Sequence, residues 1–157
     1  NRMMNVKKTI VIFLLILLNN CGYTSIYSNT ANNDLKLNII SINGDDDFNN
    51  QIKTHAALYS NSDSENEYKV IVNSNYEKII IAKDSSGIAT DYKVIATANF
   101  TVKSNGKDEN IRFQETIRMV NNSDIFEQNT YEKNLKRNFA SSIIKKLIIK
   151  ILTISDN

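Results

Sequence analysis

Hydrophobic positions along the chain switch between a period of two and a period near 3.6, and each switch marks an element. Leu35, Leu37 and Ile39 alternate with polar residues, then Ile40 and Ile42 shift the phase by one; this predicts a strand with a bulge near its end. Asn43-Gly44-Asp45-Asp46-Asp47 follows, and Phe48, Ile52, Ala56 and Tyr59 recur at helical spacing. A helix is predicted there, with the aspartates at the positive end of its dipole. Three strands come next. Tyr68, Val70 and Val72 alternate and lead through a polar middle to Tyr76 and Ile79-Ile80-Ile81. After the turn Asp84-Ser85-Ser86-Gly87, the series Tyr92, Val94, Ala96, Ala98, Phe100 and Val102 faces one way. Asp91, Lys93, Thr97, Asn99, Thr101 and Lys103 face the other. Asn105-Gly106 signals a tight hairpin. On the return strand Ile111, Phe113, Ile117 and Met119 are expected inward, opposite Arg112, Gln114, Thr116 and Arg118.

Asn121 to Gln128 reads as a polar loop, and Asn129 with Glu132 three positions later reads as a capping box. It opens a long helix predicted to reach about Leu152, with Tyr131, Leu135, Phe139, Ile143 and Leu147 as its stripe. Beyond Ile143 this helix is apolar on several sides, so its end is either buried twice over or waiting for a partner. The order β-α-β-β-β-α predicts an α+β fold: a two-layer α/β sandwich, one four-stranded sheet covered on one face by two helices.

The N-terminus follows a different pattern. Lys7 and Lys8 precede nine unbroken apolar residues, Ile10 to Leu18, and Cys21 follows at once. A basic region, a short apolar run and then a break describe a signal peptide, too short to span a bilayer comfortably. Cysteine at that place points to a lipoprotein signal, with residues 1–20 removed and Cys21 carrying the lipid, palmitate among its acyl chains. Asn20 stands where a small residue is usual, and the alternatives are an uncleaved anchor or an idle thiol. Gly22 to Asp34 is polar and small and reads as a tether (21–34), leaving one domain over 35–154.

Cys21 is the sole cysteine, so no internal disulfide supports the fold and burial must hold it. From Cys21 to Thr130 there are ten basic and fifteen acidic residues; from Tyr131 to Leu152 there are six basic and one acidic. That near-balance argues against general nucleic-acid binding while leaving a local basic segment. The three aspartates Asp45 to Asp47 are better explained as a helix start than as a calcium loop, because no later carboxylate completes a site. His55 has no partner in sequence that would make it a ligand or base. No nucleophile elbow, zinc pattern or phosphate loop is present, so the reading is a non-enzymatic binding or structural protein with no cofactor and no metal.

Several strings resemble one family. Cys21-Gly22-Tyr23-Thr24-Ser25-Ile26-Tyr27 is similar to the opening of the mature LptE family, the LPS-assembly lipoproteins, in its alphaproteobacterial branch. The string from Ile81 to Tyr92 resembles that family's hairpin, and the helix from Asn129 to Leu152, with Ala140 near its middle, is similar to its terminal helix. The resemblance implies an outer-membrane lipoprotein facing the periplasm. It would plug and support the LPS translocon β-barrel, LptD, and assist insertion of lipopolysaccharide into the outer leaflet. The alternative is an auxiliary lipoprotein of an ABC-type envelope lipid-transport system. Four cations on the polar faces of adjacent strands, Lys93, Lys103, Arg112 and Arg118, are candidates for meeting lipid A phosphates; the competing reading is an ordinary solvated face.

Overall fold

The computed structural model describes residues 35–104 and 106–155. The predicted signal (1–20), the tether, Cys21 and Asn105 lie outside them. Within them the order is β1 (Lys36–Asn43), α1 (Asp46–Ala57), β2 (Glu67–Lys83), β3 (Ala89–Ser104), β4 (Lys107–Val120) and α2 (Ile125–Ser155). The predicted two-layer sandwich is the observed one. The sheet runs β1-β2-β3-β4, with β1 parallel to β2 and the other pairs antiparallel. Because β1 and β2 are parallel, the chain must cross back between them, and α1 is that crossover.

The bulge expected in β1 falls between Ile39 and Ser41 and leaves Ile40 half exposed. Asp45 caps α1 by accepting from the Phe48 amide at 2.8 Å. The helix buries Phe48, Ile52 and Ala56, as its periodicity requires. Between helices and sheet lies one apolar core that includes Leu35, Val70, Val72, Val94, Ala96, Ala98, Phe100 and Ile111. Leu135, Phe139, Ile143, Leu147 and Ile151 of α2 complete it. The small Ala96 and Ala98 are fully covered. A buried polar link crosses the layer: the Ser74 hydroxyl donates to Asn49 Oδ1 at 2.7 Å. Gly44, at φ +121°, lets the chain turn directly against the Ser74 carbonyl.

Three expectations need correction. The second helix starts one turn early, at Ile125, because Asp124 caps it: its Oδ1 accepts from Phe126 N at 2.8 Å and Glu127 N at 3.1 Å. Ile117, expected inside, is 37 % exposed on the edge strand β4; Glu115, two residues before it on the same face, bonds Ser142 and Lys146 of α2. Tyr131, assigned to the buried stripe, is 47 % exposed, while Gln128 one turn earlier is buried.

Candidate functional site

Both helices lie on one face of the sheet, and among the described residues nothing covers the other. The register lays that outer face out in rows across β2, β3 and β4. At one end stand Lys69, Lys103 and Asp108; in the middle are Asn73-Asn99-Arg112 and Asn75-Thr97-Gln114; at the other end are Ile79, Lys93 and Arg118. The face is thus amide-rich at its centre and cationic at both ends. Two cross-strand pairs, Lys69 with Lys103 and Lys93 with Arg118, set like charges directly opposite one another, an arrangement that costs stability unless anions relieve it.

The four candidate cations therefore share the face without forming one cluster. Lys93 and Arg118 are neighbours. Arg112 lies in a central row, across from Asn99, and Lys103 is ten residues along β3 from Lys93, about 33 Å away at strand rise. Lys103 is paired with Asp108 at 3.4 Å. Arg118 donates through Nε to Asp91 Oδ1 at 2.8 Å, yet its side chain stays 69 % exposed. This hydrogen bond holds the Asp91 carboxyl below its usual range, and Thr90, whose hydroxyl reaches Asp91 Oδ2, acts in the same sense. Asp91 was legible only as a polar-face residue. Its partner appears once the register places β4's last turnings beside β3's first.

The same end of the fold is rich in uncovered apolar side chains. Ile79, Ile80, Ile81 and Ile88 belong to the β2–β3 hairpin, Ile117 and Val120 to the end of β4, and Ile125, Phe126 and Tyr131 to the first turns of α2. Val120 is 69 % exposed and Phe126 77 %. An open groove of about 800 Å³ runs between β4 and α2, with Arg118, Val120, Phe126, Glu127 and Tyr131 on its walls. Its polar corner is cross-linked by hydrogen bonds. Asn122 N donates to Gln128 Oε1 at 2.8 Å, Asn122 Nδ2 to Glu127 at 2.7 Å, and Asn121 Nδ2 to Ala89 O at 2.9 Å. A groove so braced needs little reordering to receive a ligand. Asp124-Ile125-Phe126-Glu127 carries the spacing of a capping box and was the available signal for this corner.

The solved structures most informative here are two of low sequence identity. A rare lipoprotein B of Shewanella oneidensis superposes with a TM-score of 0.53 at 12 % identity, covering 77 % of this chain and 98 % of that one. A putative lipoprotein of Caulobacter crescentus superposes with a TM-score of 0.57 at 11 % identity, covering 78 % and 90 %. The fold is one found in bacterial lipoproteins. No protein-family profile matches the chain, and no curated protein matches it in sequence. Elsewhere in the fold, His55 on α1 leaves Nε2 buried without a partner among the described residues. Burial first, then Arg137 and Lys145, lowers its pKa. Among the described residues no three His, Cys, Asp or Glu side chains gather as a metal site, and no helix is long and apolar enough to cross a membrane.

Proposed function

We propose that this chain is an envelope lipoprotein of the LptE kind, anchored through Cys21 in the outer membrane. There it would plug and support the LPS translocon barrel and help pass lipopolysaccharide to the outer leaflet. The observation that carries this reading is the one-sided sandwich, whose bare, amide-rich sheet face ends in a corner that is apolar and cationic together. A polar face of that kind suits the wet lumen of a large barrel, where interior side chains are polar. The corner suits an amphiphile with phosphates: Val120, Phe126 and Tyr131 offer apolar contact, while Lys93 and Arg118 offer charge. The likeness to lipoproteins in fold and the resemblance in sequence at Cys21 to Tyr27 point the same way.

The test is co-purification. Envelope membranes solubilised in mild detergent should yield this chain together with an outer-membrane β-barrel of translocon size. Recovery with an inner-membrane ABC complex, and no barrel, would replace this reading with the lipid-transport auxiliary.

A further inference from the structure

We propose that the last turns of α2 rest on the anionic phospholipid surface that holds the chain's own anchor, so that the domain stands end-on with its apolar corner directed away. The inference rests on the lipoprotein reading and adds to it an orientation and a second membrane contact.

Two observations converge on this end of the fold. The first is composition. From Ile143 to Thr153 the chain has three lysines (Lys145, Lys146, Lys150) and no acidic residue. Most of its apolar residues are in the core, but Ile149 is 66 % and Leu152 36 % exposed. These two lie three positions apart, hence on one side of the helix, with lysines flanking them. Exposed aliphatic residues among lysines are the make-up of a helix surface that settles at an anionic lipid interface. Lys146 and Lys150 also reach Glu115 and Glu109, at 2.6 and 3.7 Å, and both keep about half their side-chain surface open.

The second is position. Lys150 pairs with Glu109, Glu109 lies across from Val102, Val102 from Val70, and Val70 from Ile39. The end of α2 is therefore level with the start of β1, where the chain arrives from Cys21.

The experiment uses the full chain, processed and purified in detergent, with intact mass first establishing acylated Cys21. Acylation leaves an introduced cysteine as the only free thiol. An environment-sensitive fluorophore is placed by Ile149→Cys, and in a second sample by Ser86→Cys at the β2–β3 turn, and each is reconstituted in 3:1 phosphatidylethanolamine–phosphatidylglycerol vesicles. The label at 149 should emit to the blue and be quenched several-fold more by lipid-borne nitroxides than the label at 86. The difference should shrink in phosphatidylcholine vesicles or in high salt, with the anchor still bound. An acylated chain whose label at 149 reports water, or matches the label at 86, overturns the orientation and leaves the lipoprotein reading intact. A chain with unacylated Cys21 overturns both.

Discussion

Gly44 is the position at which a single methyl group should do most damage. Its φ of +121° is one that L side chains rarely adopt, and a Cβ there would lie 2.5 Å from Ser74 Oγ and closer still to the Ser74 carbonyl oxygen. The carbonyl belongs to β2, the second strand of a packed sheet, and has no freedom to swing aside. Relief must come from moving the β1–α1 connection, which would break the buried Ser74–Asn49 hydrogen bond of 2.7 Å. Backbone strain of about 1–3 kcal/mol and an unmade buried hydrogen bond of about 1–3 kcal/mol together give Gly44→Ala a cost of about 2–6 kcal/mol. Gly87→Ala is the internal control: φ is +81°, but nothing lies within 4 Å of the added Cβ, so only the left-handed penalty of about 1–2 kcal/mol applies. Urea unfolding of both variants followed by circular dichroism reads the difference directly. Ser74→Ala added to Gly44→Ala should give no rescue, since the carbonyl remains. If Gly44→Ala proves no less stable than Gly87→Ala, the close approach of this connection to β2 is wrong.

Further outcomes follow from the core, the titrating groups and the surface. Phe100 is 1 % exposed and its ring centroid lies 6.3 Å from that of Phe113, so Phe100→Ala should lower stability by about 3–5 kcal/mol in the same assay. Stability should fall as pH drops below about 6.5, the ordinary value for histidine. Burial with Arg137 and Lys145 keeps His55 neutral in the fold, so its contribution is present above that value and lost beneath it; His55→Gln should flatten the first part of the decline. A second loss should follow at lower pH. The folded values of Asp91, held down by Arg118, and of Glu115, where bonds from Lys146 and Ser142 outweigh burial, lie below those of the unfolded chain. Cys21→Ser should move the protein from the membrane to the soluble fraction. Arg112→Glu with Arg118→Glu should weaken lipopolysaccharide binding and reduce its salt dependence; unchanged binding across a salt series would return both residues to the solvated face.

The strands, their facing and the one-sided sandwich could be read from periodicity, because a strand with one dry face repeats every two residues until a bulge shifts the phase. β3 shows this best: Val94, Ala96, Ala98, Phe100 and Val102 are all buried, in the phase the alternation gives. Reading failed where the outcome depends on contacts from another element. Glu115 sits on the inward phase of β4 by simple alternation, but Lys146 and Ser142, which satisfy its carboxylate there, come from α2 and are not announced by β4 alone. The start of α2 was misplaced because two capping patterns compete within five residues, and the local sequence does not say which the chain will use. The corner beside Arg118 was harder still. Its cation was identifiable by face, but its anion Asp91 and its apolar walls come from β3, β4 and α2, brought together by register and by the turn between them.

The parallel pairing of β1 also fixes an order of assembly. β2, β3 and β4 form a meander in which each strand pairs with its neighbour in sequence across a short turn, a local event for a folding chain. β1 must instead join Lys36 to Glu67 across thirty-one positions, with α1 in between. The entropy of closing that span comes due before its contacts repay it. The meander is therefore expected to form ahead of the β1–β2 pairing. Until that pairing forms, Val70 and Val72 lie along an open edge of a sheet whose inner face is not yet closed. A nascent chain is most exposed to wrong pairing in that interval, and slowing the closure, for instance by lengthening the loop between α1 and β2, should lower the yield of folded protein before it lowers the stability of what has folded.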